Sequence, residues 1–233
     1  MLIIGFFVLT LWILFWPYVS IYVVRWINLL QNLVLLAIMT YLILSQAKLN
    51  NYIVEGPSVF FRGEGFLPLL QYDGISAIYI WLTLFIFVIT YLSIWNNTKK
   101  PKLLLLLLNI IQLLLIGSFY SCDLLNFYIM FEGILIPMFL LIGIFGSRSE
   151  KIKATYYLFF YTLVGSVLFI IGILYLQVVD GTTNSFLIVL ESPIAQKVLW
   201  IFFFIAFAVK IPMFPFYIWL PEAHVEAPTC GSV

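Results

Sequence analysis

The stretch FAVKIPMFP, residues 207–215, places a lysine inside a long apolar run and follows it at once with prolines. If this run crosses a membrane, Lys210 lies far from water, and an unpaired lysine at the centre of a bilayer costs about 2.5–3.5 kcal/mol on insertion scales. A chain that keeps such a residue is expected to supply a partner for it. Glu132 is the acid that lies deep inside another apolar run. We therefore interpret the rest of the sequence around these two residues.

The composition excludes a soluble protein. The chain is 64% hydrophobic and 9% charged, whereas soluble domains carry about 25% charged residues. Repeated apolar runs of about 20 residues predict a polytopic membrane protein, built from helices or a closed barrel because lipid cannot pair with backbone groups. Barrel strands alternate polar and apolar residues, and the runs Leu103–Leu108 and Phe202–Phe207 do not. The predicted fold class is therefore an all-α polytopic membrane protein.

About seven transmembrane helices are predicted, in a single membrane domain over residues 1–233. Their approximate bounds are 2–16, 27–44, 74–95, 103–120, 124–145, 154–178 and 195–219, with helix 7 broken at prolines. Between the second and third, Ser58–Phe61 and Phe66–Gln71 are bounded by turn-forming residues and predict a short hairpin outside the bilayer. Gly165 and Gly172 lie seven apart, so both are expected to face a close neighbour.

The distribution of basic residues predicts the orientation. Lys and Arg are enriched in loops on the cytoplasmic or matrix side. The loops after segments 1, 3 and 5 hold Arg25, Lys99, Lys100, Lys102, Arg148, Lys151 and Lys153, whereas the opposite side holds Lys48, Arg62 and Lys197. The N-terminus is therefore predicted on the outer side. The first residues lack the pattern of a signal or transit peptide, which fits a bacterial inner membrane or an organelle-encoded protein.

Several kinds of partner and chemistry are not expected. The net charge of +1 indicates no nucleic-acid partner. Cys122 and Cys230 lack metal-ligand spacing and are interpreted as small apolar residues. The sequence shows no Gly-rich nucleotide loop, haem-ligating pair or cysteine cluster, so no redox centre is expected in this chain.

Glu132 is predicted to lie about 12 Å into segment 5, at 1.5 Å per residue. Pro137 has no N–H and leaves the carbonyl of Gly133 without its helical donor, so the helix should open beside the acid. Acids within membrane segments are functional by default. The alternative is a glutamate that is hydrogen-bonded in the interior of the bundle for packing only.

Lys210 precedes Pro212 and Pro215, which predict a broken helix. Such breaks are tolerated where they line a cavity or are buried in protein, and transporters use them to place ion sites. A lysine near a movable carboxylate can exchange a proton with its surroundings. The alternative is a lysine that snorkels to the basic side of the membrane.

Other polar residues give weaker indications. Asp123 is predicted at the outer edge of segment 5. Glu222, His224 and Glu226 lie close together beyond Trp219 and predict a proton relay, while a metal site is the less favoured interpretation. Four further residues are interpreted as polar contacts between helices or as core packing, the latter being favoured: Asn109, Gln112, Tyr157 and Tyr161.

Five motifs carry a resemblance to a known family. They are FE at 131–132, LIPM at 135–138, FYTLVGS at 160–166, KIP at 210–212 and WLPEAHVEAP at 219–228. These residues resemble chain 4 of proton-pumping NADH:ubiquinone oxidoreductase, respiratory complex I. Related pump subunits and multisubunit sodium/proton antiporters share the Glu and the Lys, and the run 224–228 points to chain 4. The resemblance is strong from about residue 73 onward.

The resemblance implies the N-terminal half of a fourteen-helix, antiporter-like bundle with two inverted repeats. Glu132 matches the family's helix-5 Glu, Lys210 matches the Lys of its broken helix 7, and Asp123 falls where an acid is usual. The family's pair is thought to switch between two states and drive protons towards a second Lys on helix 8. Proton transfer is thereby assigned to Glu132 and Lys210, with a relay role for Asp123, Glu222, His224 and Glu226.

The resemblance also implies cofactors, partners and location. As a subunit of that enzyme, the chain would act as a proton-translocating translocase and bind no cofactor itself. NADH, FMN, iron–sulfur clusters and ubiquinone would be bound by other subunits. The expected partners are the other membrane-arm subunits and lipid, in the mitochondrial inner membrane or alternatively the bacterial inner membrane.

The chain stops at Val233, where the family's helix 8 begins. Either a separate chain carries helices 8–14 of a split subunit, or the sequence is truncated. Two other functions stay open, namely a subunit of a multisubunit sodium/proton antiporter and a purely structural membrane anchor.

Overall fold

A computed structural model describes residues 20–49, 74–96, 100–146, 149–181, 183 and 192–232, with only the backbone described over 46–49. The first predicted span, 2–16, lies outside the described residues. So does the predicted hairpin of Ser58–Phe61 with Phe66–Gln71.

The described chain is built of helices. In chain order they are α1 Ile21–Leu49, α2 Gly74–Ser93, α3 Pro101–Tyr120, α4 Leu124–Gly133, α5 Leu135–Phe145, α6 Lys151–Asp180, α7 Pro193–Lys210, α8 Trp219–Glu226 and α9 Thr229–Ser232, with a 3-10 helix at Phe216–Ile218. Within these residues, six stretches are long and apolar enough to cross a membrane: Ile21–Ser45, Gly74–Ser93, Pro101–Tyr120, Leu124–Phe145, Lys151–Asp180 and Pro193–Lys210. The predicted all-helical membrane fold is confirmed for this part of the chain.

Helix ends differ from the sequence estimates at several places. The second predicted segment, 27–44, is part of a longer helix that begins at Ile21, and the sixth extends from Lys151 to Asp180. Apolar runs mark only the part of a helix that lies in lipid, whereas backbone hydrogen bonds continue into the polar flanks. The seventh helix ends at Lys210 and does not run on to Trp219.

The helices group into two compact units that meet in sequence between Tyr120 and Ser121. The first unit contains α1, α2 and α3. Its apolar core is formed by one face of each helix, with these residues buried: Leu35, Met39, Ala77, Ile80, Leu84 and Ile116. The second unit contains α4 to α9.

A neutral polar network crosses the interior of the first unit. The Tyr91 hydroxyl donates to Asn109 Oδ1 at 2.5 Å and lies 3.1 Å from Gln112 Oε1. Asn109 Nδ2 donates to Asn28 Oδ1 at 2.7 Å, and Gln112 Nε2 donates to Asn32 Oδ1. All five side chains are buried. Asn109 and Gln112 therefore make polar contacts between helices, and both are also buried in the core.

Close contact between α6 and α7 organises the second unit. A Cβ added at Gly165 would lie 2.9 Å from Val209 Cβ, and one at Gly172 would lie 2.7 Å from Phe203 Cε1. These distances leave no room for a side chain at either position. The expectation that both glycines face a close neighbour is confirmed, and that neighbour is α7.

Two helices of the second unit are interrupted within the apolar region. The fifth predicted segment is divided at Ile134 into α4 and α5, because Pro137 cannot donate to the carbonyl of Gly133. After α7 the chain turns at Ile211–Pro215 and resumes as the 3-10 helix and α8. The broken helix predicted from Pro212 and Pro215 is therefore present.

The neutral network predicts a stability effect for Gln112→Leu. This change removes the hydrogen bonds of Gln112 to Asn32 and Tyr91 and leaves the buried Asn32 Oδ1 without its donor, while Tyr91 keeps its bond to Asn109. We expect a loss of about 1 kcal/mol or more in unfolding free energy, measured as a lower heat-denaturation midpoint of the detergent-extracted protein. Gln177→Leu, at an exposed position near the end of α6, is the matched control. Equal midpoints for the two variants would contradict a stabilising role for the network.

Candidate functional site: an ion pair between interrupted helices

Glu132 and Lys210 meet in the second unit. Lys210 Nζ lies 3.2 Å from Glu132 Oε1, although the two residues are 78 positions apart in sequence. Their side chains are 22% and 16% exposed for Lys210 and Glu132. A contact at this distance is both an ion pair and a hydrogen bond. Glu132 is thus hydrogen-bonded within the unit, as both the functional and the packing interpretation of this residue require, and its partner is Lys210.

Each partner stands at an interruption of its helix. Glu132 precedes Gly133, the last residue of α4, and α5 begins at Leu135. Lys210 is the last residue of α7. The carbonyls at a helix C-terminus carry partial negative charge, so a cation is favoured at the end of α7. The position of the lysine is thus stabilised by its own helix as well as by Glu132.

The last turn of α7 has partners for the carbonyls that a helix end leaves unpaired. Ile211 N–H donates to the Phe207 carbonyl at 2.8 Å, and Met213 N–H donates to the Ala208 carbonyl at 2.8 Å. The indole of Trp219 donates to the Val209 carbonyl at 2.9 Å. Through this last bond, the chain beyond the break fixes the helix end that carries Lys210.

An aromatic ring covers the ammonium group. Lys210 Nζ lies 4.4 Å from the centroid of the Phe131 ring, which is within the range of a cation–π contact. Phe131 in turn stacks on Phe127, with ring centroids 5.1 Å apart. The sequence analysis quoted Phe131 within a motif but assigned it no role, because that role depends on where α7 packs.

Two hydroxyl groups of α6 line a small cavity beside the pair. Thr162 and Ser166 are buried, and each donates to a carbonyl of its own helix, which leaves the oxygen lone pairs available to accept. The cavity has a volume of about 10 Å³, close to what one water needs. The pair is thus bordered by groups that can accept a hydrogen bond from the ammonium or from a water molecule.

Asp123 does not contact the pair. It precedes α4, where its Oδ2 accepts from the Asn126 N–H at 3.0 Å as an N-cap, and its Oδ1 accepts from the Thr183 hydroxyl. Glu132 follows it by nine positions, about 13 Å along the axis. Its cap role is a structural function that the sequence analysis did not assign.

Glu222, His224 and Glu226, for which a relay was predicted, lie on the helix α8 and on different faces of it. Glu222 and Glu226 lie four apart on α8, whereas His224 lies between them and is exposed. Residues two apart do not face each other on a helix. Among the described residues, no three His, Cys, Asp or Glu side chains come together as a metal-binding group. Glu226 is buried, and its Oε2 has no hydrogen-bond partner in the described part of the chain.

Tyr157 and Tyr161 pack against the cluster of Leu135, Ile142 and Trp219, with their own rings 6.3 Å apart. Packing was the favoured interpretation for both, and it is what the structure shows.

The part of the chain that holds the pair matches a known domain. Residues 121–233 match the family model described as NADH:quinone oxidoreductase/Mrp antiporter, TM. Among curated proteins, NADH-ubiquinone oxidoreductase chain 4 of Metridium senile is 54% identical over 168 residues, which cover 70% of this chain and 34% of that protein. Its counterpart in Arabidopsis thaliana is 48% identical over 167 residues, 70% of this chain and 34% of that protein. NADH-quinone oxidoreductase subunit M of Rhodobacter capsulatus is 40% identical over 179 residues, which cover 70% of this chain and 35% of that protein.

Solved structures show the same fold. A chain of respiratory complex I from Thermus thermophilus with bound NADH matches with a TM-score of 0.71 at 26% identity, covering 97% of this chain and 47% of that one. A chain of the membrane-bound sulfane sulfur reductase, an archaeal respiratory membrane complex, matches with a TM-score of 0.84 at 17% identity. The match covers 99% of this chain and 48% of that one. This second likeness is one of fold alone.

The whole of the second unit, Ser121–Ser232, thus lies within the segment that matches the NADH:quinone oxidoreductase/Mrp antiporter family model. Within that family, the resemblance to chain 4 of NADH-ubiquinone oxidoreductase is confirmed. The chain spans about a third of the length of the curated relatives that it matches.

The contact of Gly165 with Val209 predicts that Gly165→Ala destabilises the site. The added methyl group would push α7 away from α6 one residue before Lys210, at an expected cost of about 1–3 kcal/mol. Gly143→Ala is the control, because a Cβ there would meet Thr155 at an ordinary 3.9 Å. The heat-denaturation midpoint should fall for Gly165→Ala only, and equal midpoints would show that the close contact is not required.

Proposed function

We propose that this chain is a proton-translocating part of the membrane arm of NADH:ubiquinone oxidoreductase, in which Glu132 and Lys210 couple quinone reduction elsewhere to proton movement. The observation that carries this proposal is the 3.2 Å contact between the two side chains. The contact lies in the segment that matches the family, and it joins two interrupted helices of the apolar region.

The chemistry follows from the cost of an isolated charge. While Glu132 stays at hydrogen-bond distance, its carboxylate stabilises the Lys210 ammonium. If a movement at either helix break separates the two groups, the ammonium loses its counter-charge in apolar surroundings, where an unpaired charge is costly. The ammonium then gives up its proton to a neighbouring acceptor. Return of the carboxylate favours reprotonation.

The helix breaks supply the freedom that this cycle needs. Continuous helices would hold both side chains rigidly, because each backbone group is fixed by its hydrogen bonds. At Gly133–Ile134 and at Ile211–Pro215 the helical pattern is interrupted, so a small local rotation can change the distance between carboxylate and ammonium. Conformational coupling of this kind requires an element with two arrangements, and the breaks are the candidates for it.

The wider setting is also part of the proposal. The homologues are subunits of NADH-ubiquinone or NADH-quinone oxidoreductase, so we place this chain among membrane-arm subunits and assign NADH, FMN, iron–sulfur clusters and ubiquinone to other subunits. A mitochondrial inner membrane is favoured over a bacterial one. The relay through Asp123, Glu222, His224 and Glu226, the outer position of the N-terminus, and the separate chain with helices 8–14 all stay predictions.

Substitution of the pair tests the proton role. Lys210→Met should abolish proton pumping by the complex, because the residue that binds the proton is gone, and Glu132→Gln should weaken it, because the counter-charge is gone. NADH oxidation with artificial electron acceptors should survive in both variants. Proton pumping is measured with a pH-sensitive dye in sealed membrane vesicles.

Lys197→Met is the matched control, since it removes a lysine from the exposed start of the same helix. It should pump at the unmodified rate. Unchanged pumping in both Lys210→Met and Glu132→Gln would refute the proposal, and tolerance of Lys210→Leu would favour the structural anchor.

The family match also allows a subunit of a sodium/proton antiporter. Purification distinguishes this alternative from a subunit of NADH:ubiquinone oxidoreductase. Affinity isolation of this chain from mildly solubilised membranes should recover flavin- and iron–sulfur-containing subunits that oxidise NADH. Recovery of membrane subunits alone, with sodium-dependent proton exchange, would favour the antiporter.

A further inference from the structure

Two cavities of the second unit share two walls. The larger, which we call the Asp123 cavity, has a volume of about 250 Å³ and is lined by Ser121, Cys122, Asp123, Leu124, Phe127, Phe169, Phe203 and Phe207. The smaller is the cavity of about 10 Å³ beside Glu132 and Lys210, which we call the ion-pair cavity. The side chains of Phe169 and Phe207 line both. These two rings therefore stand between the Asp123 cavity and the ion pair.

Phe169 is at the centre of an aromatic cluster. Its ring centroid lies 5.2 Å from that of Phe207, 5.0 Å from Phe203, and 6.0 Å from both Phe127 and Tyr128. The side chain is 4% exposed. The contacts with Phe127 and Phe207 are edge-to-face, and those with Phe203 and Tyr128 are tilted. Rings packed at these distances present an apolar surface that disfavours water.

The backbone explains why Phe169 stays in place. Gly165, Phe169 and Gly172 follow the i, i+4, i+7 spacing of one helix face, and both glycines bring α6 against α7. The phenyl ring is the side chain between two points of close helix contact. A ring in this position has little freedom to rotate without separating the helices.

Phe207 has a different setting. It is only partly buried, and it lies three residues before Lys210 on α7, so the two side chains lie on neighbouring parts of one helix face. Its carbonyl accepts from Ile211 N–H at the start of the helix break. A movement of the α7 end that displaces Lys210 from Glu132 would therefore also displace Phe207.

The Asp123 cavity has room for water. A volume of about 250 Å³ holds several water molecules, since each occupies about 30 Å³ in the liquid. Asp123 and Ser121 supply polar groups to its lining, and the Asp123 carboxylate is held by Asn126 N–H and Thr183. The aromatic rings of Phe127, Phe169, Phe203 and Phe207 supply apolar lining.

We propose that Phe169 and Phe207 form an aromatic gate that closes the ion-pair cavity to water from the Asp123 cavity, with Phe169 as the fixed half and Phe207 as the moving half. Hydrophobic constrictions close pores by excluding water. The gate prevents a proton held at Lys210 from escaping to the Asp123 side until the end of α7 moves. This role of the gate in proton transfer rests on the proposed function of the pair.

Access of a thiol reagent to the ion-pair cavity tests the gate in the intact complex. Ser166→Cys places a thiol in that cavity, in a background with Cys122→Ser and Cys230→Ser. A small membrane-impermeant methanethiosulfonate bearing a quaternary ammonium is added from either face of membrane vesicles, and labelling of this chain is followed by mass spectrometry. Adding Phe169→Ala should speed labelling from one face about tenfold, because the barrier is removed.

Two variants serve as controls. Phe169→Leu keeps an apolar side chain between the cavities and should stay close to the slow rate. Phe160→Ala removes an exposed ring of the same helix and should leave the rate unchanged. Equal labelling with and without Phe169, or equal acceleration by Phe160→Ala, overturns the gate. If Phe169→Ala prevents assembly of the complex, Phe207→Ala is used with the same expected results.

Passive proton leak separates the gate from the function of the pair. With respiration blocked, Phe169→Ala vesicles should leak protons faster than unmodified ones, and adding Lys210→Met should remove that increase. Faster labelling with a leak that does not depend on Lys210 supports the gate as a water barrier and counts against the proton role of the pair. Slow labelling in Phe169→Ala, together with loss of pumping in Lys210→Met, overturns the gate and leaves the pair's function in place.

Discussion

A single lysine in an apolar span must be neutralised, and the second unit is arranged so that Glu132 does this. The two side chains come from elements far apart in the sequence, so the pair can form only if α4 and α7 are brought together. Both helices are interrupted at the pair. An ion pair with little water around it is weak evidence of stability, because desolvation offsets the attraction, but loss of one partner is costly. Such a pair is therefore better suited to switching than to holding the bundle together.

The first unit deals with its polar residues in the opposite way. The amides of its network, Asn28, Asn32, Asn109 and Gln112, and the Tyr91 phenol are neutral, and each is hydrogen-bonded across helices or to its own helix. Gln31, which is also buried in α1, lies outside this network and has no hydrogen-bond partner among the described residues. A neutral network whose members all have hydrogen-bond partners makes the packing of its helices rigid and holds them in one register. The charged pair of the second unit lies beside a cavity and at two helix breaks. The contrast indicates that structural polar contacts and the candidate proton site are separated between the two units.

Small residues and large rings act together along α6. Gly165 and Gly172 allow α7 to approach, and the space between them is filled by Phe169. On the same helix, Thr162 and Ser166 present hydroxyls to the ion-pair cavity. One helix face thus provides the close contact, the apolar barrier and the polar lining next to Lys210. A substitution along this face would alter packing and proton access at once, which is why matched controls on the exposed face of α6 are informative.

The sequence by itself determined the membrane class, the helical architecture, the two interruptions and the two charged residues of the site. Each of these follows from local information: apolar length, the missing N–H of Pro137 and Pro212, and the cost of charge in lipid. Only the tertiary structure decided that Glu132 and Lys210 touch, that Phe131 covers the ammonium and that Asp123 caps α4. It also decided that His224 is exposed while Glu226 is buried. It also revealed Asn28, Asn32 and Tyr91 as partners of Asn109 and Gln112. These facts depend on which helix faces meet, and apolar patterns inside a membrane do not specify this, because lipid and neighbouring helices favour the same side chains.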